Sequence, residues 1–428
     1  MTTERPGSAG SPACRVLLYT HNALGLGHVF RSLAVITGLK RWAPHWDFLV
    51  VSGSSIPQVF LAEGVEVLKL PGVRLQWADG EASLRPRHLD SMALDEVFDL
   101  RCRLIADACD CFAPDVVLVE HNPAGLMNEL VPLLMKKRLR RGGARDFALA
   151  HISRGILSAY PRLQLPRQSP PHLSGSVDLA ELYDFIYVLE DRSILGEADA
   201  TWDAGPALAG RTAFLGKIGI KNRAELPPLD QAKRAWGLDE SPLILLSLGR
   251  LGPVARLTKA LGQALACAGL LAGRQLAAVL DPYLPPAERA GLERWADGIG
   301  ARLLGFNPYL VELINAAELV VCRAGYNTCN EVRLCGARAL LVPEPHGGLE
   351  QERRAAALTG PHQASASEAQ VLAGEVEEDL KRLLAAPRDP DPPVLDRFAA
   401  GRRIARDLTQ WLDRRPGAAG GERETCRA

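Results

Sequence analysis

Three of the nine histidines stand at the ends of predicted strands in the first half of the chain. His21 follows the apolar run RVLLYT, His121 follows DVVLVE, and His151 closes the run FALAHI. In an open parallel sheet, ligands bind beyond the carboxyl ends of the strands. Each histidine could equally cap a helix or bind a nearby carbonyl, but three at three strand ends favour a functional site.

A fourth histidine, His28, ends the turn GLGH and begins a predicted helix. The glycines of that turn let a substrate approach the backbone, and an imidazole with a pKa of about 6.5 suits a base at neutral pH. We therefore interpret His28 as a catalytic base. The residues expected to support it are Glu120, His121 and Arg154. The residues expected to lie near the substrate that gives up its proton, the acceptor, are Asn22, Gly25 and Gly27.

Two irregular stretches of the first half could contact an acceptor or could simply be solvated surface. One carries Arg74, Arg85, Arg87 and His88, and the other is the proline-containing stretch 160–176.

The second half has its own cluster of candidate binding residues. Gly249 and Arg250 follow a core strand and offer free N–H groups and a guanidinium, which suits a phosphate but is a weak motif. A stronger signal is the run CRAGYNTCNE at 322–331, in which Arg323 ends a strand and Asn327 and Thr328 open a helix. Glu331, about one turn into that helix, is placed to accept hydrogen bonds from a diol.

The order of predicted elements explains how these residues could be brought together. Strands alternate with helices, which indicates parallel sheets with right-handed crossovers. The first-half strands are predicted at 15–20, 47–51, 65–70, 115–120, 147–152, 185–189 and 212–215, with helices at 29–40, 57–63 and 94–112. The second-half strands are predicted at 243–248, 276–280, 302–305, 319–322 and 339–342, with helices at 255–271 and 394–412.

We therefore expect two α/β domains. The predicted boundaries are a tail at 1–13, an N-terminal domain at 14–217, a linker at 218–242, a C-terminal domain at 243–390, a helix at 391–414 that returns to the first domain, and a tail at 415–428.

Composition narrows the function classes. The 428 residues are 47% hydrophobic and 23% charged, which is typical of a globular protein. Fifty basic residues balance fifty acidic ones, so we expect no nucleic-acid partner and at most peripheral contact with a membrane. The nine cysteines form no CxxC pair, which favours reduced thiols in a cytoplasmic protein and no metal site. Neither a signal peptide nor a spanning helix is predicted.

The second half also resembles a known enzyme family. It is similar to the C-terminal domain of family 28 glycosyltransferases, of which the MurG-type enzymes are the best known. The similarity includes the RAG-x5-E spacing and rests on these residues: Gly305–Phe306, Arg323–Gly325, Glu331, Pro343 and Glu350–Gln351. The resemblance covers residues 243–360 well and the first half loosely. It implies the GT-B fold, in which two Rossmann-like domains face each other across a cleft and a last helix crosses back.

The resemblance also implies roles for individual residues. The backbone around Phe306 would hold the base of a nucleotide, Glu331 the ribose, Gly325 to Thr328 the diphosphate, and Glu350 with Gln351 the donor sugar. Two features depart from the MurG-type pattern: the glycine loop before His28 is shorter, and Arg354 stands where those enzymes carry an asparagine. The turn GLGHVFRS is similar instead to the GxGHxxR segment of a related UDP-sugar hydrolase of pseudaminic acid synthesis.

The expected activity is an inverting, metal-independent transfer of a sugar, such as GlcNAc from UDP-GlcNAc, to an acceptor hydroxyl. The acceptor, a small molecule or a lipid-linked one, is not identified, UDP is not separated from GDP or dTDP, and no oligomeric state is predicted. No DxD motif stands at a strand end, so no metal ligands and no cofactor are expected. The alternatives are a nucleotide-sugar hydrolase that uses water, a nucleotide-sugar 2-epimerase, and a non-catalytic nucleotide-sugar-binding subunit.

Overall fold

A computed structural model gives the structure of residues 14–21, 27–78, 81–143, 145–154, 162–165, 175–191, 210–249, 252–281, 284–345 and 350–415. The chain divides into two units, the first comprising 1–218 and 397–428 and the second 219–396. Among the described residues, each helix is too short or too polar to cross a bilayer.

The first unit is built around a parallel sheet of seven strands with helices between them. Its strands are β1 (Arg15–Thr20), β2 (Asp47–Ser52), β3 (Glu66–Lys69), β6 (Val116–Glu120), β7 (Ala148–Ser153), β10 (Phe185–Val188) and β11 (Thr212–Phe214). Two antiparallel hairpins form separate two-stranded sheets. They are β4 (Val73–Ala78) with β5 (Glu81–Pro86) and β8 (Arg162–Leu165) with β9 (Gly175–Asp178). Its helices are α1 (Gly27–Trp42), α2 (Gln58–Ala62), α3 (Leu94–Phe112), α4 (Val131–Arg140) and α5 (Leu179–Leu182).

The strand order of this sheet determines where a ligand can bind. The order is β11-β10-β7-β6-β1-β2-β3, so the chain moves outward in one direction from β1 and then returns to the other side of it at β6. Every residue of β6 is buried, as expected for a central parallel strand covered on both faces. The direction of winding reverses between β1 and β6, and we call this place the reversal point of the sheet. A crevice opens beyond the carboxyl ends of the strands at such a point.

The second unit repeats this plan with six parallel strands. They are β12 (Leu243–Ser247), β13 (Gln275–Val279), β14 (Arg302–Leu304), β15 (Leu319–Cys322), β16 (Ala339–Leu341) and β17 (Gln363–Ser365), in the order β14-β13-β12-β15-β16-β17. Its helices are α6 (Leu229–Ala235), α7 (Val254–Cys267), α8 (Pro286–Ile299), α9 (Leu310–Ala316), α10 (Tyr326–Leu334), α11 (Glu350–Leu358), α12 (Glu368–Ala373) and α13 (Glu377–Ala385). Here the winding reverses between β12 and β15.

The last helix, α14 (Ala399–Asp413), packs against α1 within the first unit. A Cβ on Gly401 would lie 2.2 Å from the backbone carbon of Gly38, so the two helices touch backbone to backbone and only glycine fits there. We predicted this helix from residue 394, but it begins at Ala399.

Several elements differ from the sequence prediction. Arg74 and Arg85, assigned to an irregular loop, are paired across the hairpin β4–β5. The stretch 160–176 contains β8 and the start of β9, and its other residues lie outside the described part. The segment 218–242, expected as a linker, holds α6, which packs against α9 in the second unit. Helices α4, α12 and α13 and strand β17 were not predicted.

Candidate active site

A cluster of histidines lies where the winding reverses in the first unit. His21 follows β1, and Glu120 and His121 end and follow β6. These neighbouring strands are in parallel register, with Tyr19 opposite Val119, so the residues that follow them meet at one edge. His121 has a φ of +65°, a left-handed conformation that is rare for a residue with a side chain and is typical of functional sites.

His28, the expected base, is buried and bound to the predicted supporting carboxylate. Its Nδ1 lies 2.8 Å from Glu120 Oε2. Arg31, one turn further along α1, donates from Nε to Glu120 Oε1 at 2.7 Å and also from Nη2 to the same oxygen. Glu120 is fully buried, and its charge is thus balanced by Arg31.

The tautomer of His28 follows from these contacts. Arg31 Nη2 lies 2.9 Å from Nδ1, but it is already bound to Glu120, and a carboxylate oxygen is the stronger acceptor for an N–H. We therefore assign the ring proton to Nδ1, where it is donated to Glu120. That assignment leaves the Nε2 lone pair available to take a proton, which is the arrangement of a general base held by a carboxylate.

The surroundings keep the histidines uncharged. Burial, together with the positive charges of Arg31 and Arg154, lowers the pKa of His28 well below its usual value. Burial also lowers the pKa of His21 to about 3 and that of His121 to about 2. All three rings are therefore neutral at pH 7, and each keeps a nitrogen lone pair that can bind a cation or accept a hydrogen bond.

The three rings stand close together. Ring centroids are 4.2 Å apart for His21 and His28, 5.0 Å for His28 and His121, and 5.9 Å for His21 and His121. Both nitrogens of His21 and the Nδ1 of His121 are buried and have no hydrogen-bond partner among the described residues. Buried polar atoms without partners are uncommon in native proteins, so these point to a bound molecule or ion.

The remaining first-unit candidates have different positions. His151 is buried in β7 and lies with Nε2 2.8 Å from the carbonyl oxygen of His121, so it supports the strained backbone rather than a substrate. Arg154 follows β7 and is near enough to lower the pKa of His28. Gly27 is the first residue of α1. Asn22 and Gly25 lie outside the described residues.

In the second unit, Arg323 has a structural role that the sequence did not reveal. The sequence placed it among the candidate binding residues. Its Nε donates to the Leu248 carbonyl at 3.1 Å, Nη1 to the carbonyls of Val342 and Pro343, and Nη2 to Glu368 at 2.6 Å. These bonds tie three loops together, and a role of Arg323 in donor binding stays a prediction.

The turn after β12 covers that guanidinium. Gly249 has a φ of +68° and Gly252 of +84°, and a Cβ on Gly252 would lie 2.9 Å from Nη2 of Arg323. Glycine is therefore required at Gly252 by both backbone conformation and space. Gly249 is exposed beyond the end of β12, and Arg250 lies outside the described residues.

The start of α10 presents groups that could bind an anion and a diol. Gly325 precedes the helix and no side chain caps it, so this is a helix end of the kind at which backbone N–H groups bind an anion. Asn327 and Thr328 lie in that turn and are half-buried. Glu331 follows, 9% exposed, and its carboxyl group has no hydrogen bond to any described residue. Burial alone raises its pKa to about 8.

Other predicted donor residues lie in nearby loops and helices of the same unit. Gln351 and Glu344 bond to each other at 3.2 Å through Gln351 Nε2 and Glu344 Oε2. Glu350 pairs with Arg354 Nη2 at 2.5 Å, while Arg354 Nη1 donates to the Ala324 carbonyl before α10 at 3.0 Å. Phe306 is half-buried just after β14.

Sequence reasoning assigned no role to Arg31, and it placed His21 at a strand end without giving it a role of its own. The signal for Arg31 was its position three residues after His28, which puts both on one face of a helix. A charged residue on the buried face of a helix needs a counter-charge, and Glu120 supplies it from 89 residues away. That partner could not be identified from spacing.

Comparison with known proteins supports this architecture. Residues 290–394 match the glycosyltransferase family 28 C-terminal domain. The UDP-N-acetylglucosamine–N-acetylmuramyl-(pentapeptide) pyrophosphoryl-undecaprenol N-acetylglucosamine transferase of Acidothermus cellulolyticus is 33% identical over 148 residues, which span 32% of this chain and 39% of that protein. The enzyme of the same name from Burkholderia multivorans is 26% identical over 336 residues, 75% of this chain and 74% of that one.

Solved structures are similar over nearly the whole chain. The glycotransferase of kitacinnamycin superimposes with a TM-score of 0.57 at 15% identity, covering 94% of this chain and 99% of the other. The UDP-GlcNAc 2-epimerase of Neisseria meningitidis bound to UDP-GlcNAc gives 0.57 at 14% identity, covering 92% and 100%. At such identities the likeness establishes the fold alone.

The two Rossmann-like sheets and these similar structures define a GT-B fold. Within it, residues 290–394 of the second unit are the part that matches the glycosyltransferase family 28 C-terminal domain. The predicted fold class and the predicted resemblance are both confirmed.

Proposed function

We propose that this protein is an inverting glycosyltransferase that moves a sugar from a nucleotide-diphosphate donor, UDP-GlcNAc being the first candidate, to an acceptor hydroxyl. The observation that carries the proposal is one chain combining a family 28 C-terminal domain with a buried histidine bound to a carboxylate at the reversal point of its first sheet. A protein that only bound nucleotide sugars would need the first feature and not the second.

In this proposal His28 is the general base. Its Nε2 takes the proton of the acceptor hydroxyl while the oxygen forms a bond to the anomeric carbon of the donor. The bond from that carbon to the diphosphate oxygen breaks, and its electron pair leaves with the nucleotide diphosphate. A single displacement inverts the anomeric centre. Glu120 stabilises the resulting imidazolium, and Arg31 holds Glu120 in place, both as positioning residues.

We assign the donor to the second unit. Glu331 would accept hydrogen bonds from the ribose hydroxyls, which would give its unpartnered, buried carboxyl group the donors it lacks. The N–H groups at the start of α10, from Gly325 to Thr328, would hold the diphosphate. Glu350 and Gln351 would contact the sugar, and the backbone near Phe306 the base.

The leaving-group charge is assigned to protein groups rather than to a bound cation. The uncapped helix terminus supplies fixed dipoles for this purpose. Arg323 is not part of the assignment, because its guanidinium is committed to carbonyls and to Glu368.

The acceptor is assigned to the first unit, near the turn that carries Asn22, Gly25 and Gly27. The identity of the acceptor decides between transfer and hydrolysis, since the same base could act on water instead of a sugar or lipid hydroxyl. The curated relatives named above act on a lipid-linked acceptor according to their names. This chain spans 39% of the first of them, so a lipid-linked acceptor is a proposal to test.

A two-stage experiment tests the proposal. Thermal shift with UDP-GlcNAc and other nucleotide sugars identifies the donor, since a ligand at 100 times its Kd stabilises by about 2.7 kcal/mol. Release of nucleotide diphosphate is then measured with and without candidate acceptors, with EDTA present. Donor-dependent release that requires an acceptor supports transfer, and equal release without one supports hydrolysis. Stabilisation by no nucleotide sugar would contradict the proposal.

A further inference from the structure

The histidine cluster of the first unit contains a set of potential metal ligands. One ring nitrogen of His21, one of His28 and one carboxylate oxygen of Glu120 all lie within 4.8 Å of one another, and all three residues are buried. His21 is 6% exposed, and neither of its nitrogens has a hydrogen-bond partner among the described residues. A buried imidazole without a partner among the described residues, beside a second imidazole and a carboxylate, is a set of groups that could bind a cation.

The type of ligand selects the type of ion. Two imidazoles and one carboxylate suit Zn²⁺, Co²⁺, Ni²⁺ or Cu²⁺, whereas Mg²⁺ and Ca²⁺ prefer oxygen ligands only. Three protein ligands leave a fourth tetrahedral position for water. Metal–nitrogen distances of about 2.0–2.1 Å require the three ligand atoms to approach each other by small side-chain rotations.

The positive charge of Arg31 disfavours cation binding most, because its Nη2 lies 2.9 Å from His28 Nδ1. That guanidinium is already paired with Glu120 through Oε1. Oε2, which accepts from His28 Nδ1 in the free protein, would exchange that hydrogen bond for the cation. Arg154 also contributes positive charge near His28. We therefore expect moderate rather than very tight affinity, which suits a reversible ligand.

We propose that His21, His28 and Glu120 form a binding site for a Zn²⁺-class cation, and that the bound cation blocks the base. A neutral imidazole carries one ring proton. If the metal takes Nδ1, the proton moves to Nε2, which can then accept no other; if the metal takes Nε2, it occupies the basic lone pair directly. The inhibitory part rests on the proposed function, but the binding part does not.

Binding is tested on the full chain after removal of metal with a chelator. Co²⁺ is added and followed by visible absorption, and Zn²⁺ binding is measured by equilibrium dialysis. We expect about one equivalent with micromolar affinity, the absorption of tetrahedral cobalt, and no thiolate-to-cobalt charge-transfer band. A tenfold excess of Mg²⁺ should not compete.

The test variants are His21→Leu, which removes both nitrogens and fills a buried space with apolar atoms, and Glu120→Gln. Each should weaken Zn²⁺ binding at least tenfold, while His45→Ala, at an exposed histidine of the same unit, should bind like the wild type. Equal binding in His21→Leu and His45→Ala, a thiolate band, or binding weaker than about 100 µM in the wild type would overturn the site.

The activity arm separates this proposal from the proposed function. Micromolar Zn²⁺ should slow donor turnover by the wild type at least tenfold, and EDTA should restore it. If the ion binds as expected but the chain turns over no donor, the proposed function fails while the metal site stands. If the ion binds and turnover is unaffected, the inhibitory part is wrong.

Discussion

The two reversal points of the molecule have the same strand order and opposite chemistry. In the first unit, His28, Glu120 and Arg31 are joined in one buried network at the reversal point. In the second, burial alone raises the pKa of the Glu331 carboxyl group, which lies beside a helix start that no side chain caps. The first network thus contains its own counter-charge, whereas no described residue supplies one to Glu331.

This difference indicates how two units of the same fold could carry out different steps of one reaction. A network with its own counter-charges fixes a tautomer and can move a proton without a ligand to complete it. A buried carboxyl group and a helix N-terminus can bind a ligand that supplies hydroxyl donors and a negative charge. We therefore place proton transfer in the first unit and donor binding in the second.

The largest expected effect comes from the base. His28→Ala should lower kcat by about 10²–10⁴, and His28→Gln should be nearly as slow because an amide cannot take a proton. Donor affinity should be unchanged in both. Steady-state kinetics with the identified donor give kcat, and His45→Ala is the matched control. A His28 variant that keeps most of its kcat would remove the proton step from this network.

Acid should destabilise the first unit through His151. Burial lowers the pKa of this histidine to about 4, whereas the unfolded residue titrates near 6.5. Between these values only the unfolded chain binds the proton, so stability is lost as the pH falls, by about 1.4 kcal/mol per pH unit. Urea unfolding from pH 7.5 to 4.5 measures this slope, and it should become shallower in His151→Gln. An identical slope in that variant would contradict the assignment.

The carboxylate of the first network orients rather than reacts. Glu120→Gln should lower kcat by about tenfold to a hundredfold, which corresponds to losing a charged hydrogen bond of about 1.5–3 kcal/mol, with donor KM unchanged. The variant is assayed below its own Tm, because Arg31 loses its counter-charge and stability should fall. A matching rise in donor KM would show that Glu120 belongs to donor binding.

In the second unit, Glu331→Ala should weaken donor binding about tenfold to a hundredfold, because a charged hydrogen bond contributes about 1.5–3 kcal/mol. With its pKa raised to about 8, the carboxyl group of the free protein ionises as pH rises from 7 to 9. Donor affinity should therefore increase over that range in the wild type and not in Glu331→Gln. Calorimetric titrations at several pH values measure both, with the exposed Glu293→Ala as control. A pH-independent affinity in the wild type would remove Glu331 from the ribose site.

Much of the fold was accessible from the sequence because parallel strands are short apolar runs bounded by turns. Runs such as RVLLYT and LILLSL are buried strands, as predicted. The hairpin β4–β5 was missed although Val73, Leu75 and Trp77 alternate with polar residues, which is the pattern of a half-buried strand.

A site residue could be predicted only where it lies at the end of a predicted strand. The ends of β1 and β6 had to lie together once the sheet was parallel, so His21 and Glu120 could be placed at one edge. The partners of a long side chain depend on loops distant in sequence. Arg323 stood at a strand end as expected, yet its guanidinium bonds to carbonyls from 248, 342 and 343, which no local pattern encodes.

The division of labour between the two units is tested most directly by calorimetric titration of nucleotide diphosphate into three forms of the full chain. UDP is tried first, with GDP and dTDP beside it, against the wild type, His28→Gln and Glu331→Gln. The account predicts that one nucleotide binds the wild type and His28→Gln with equal affinity and binds Glu331→Gln at least tenfold more weakly. Weaker binding in His28→Gln with full affinity in Glu331→Gln, or no binding of any nucleotide to the wild type, would contradict it.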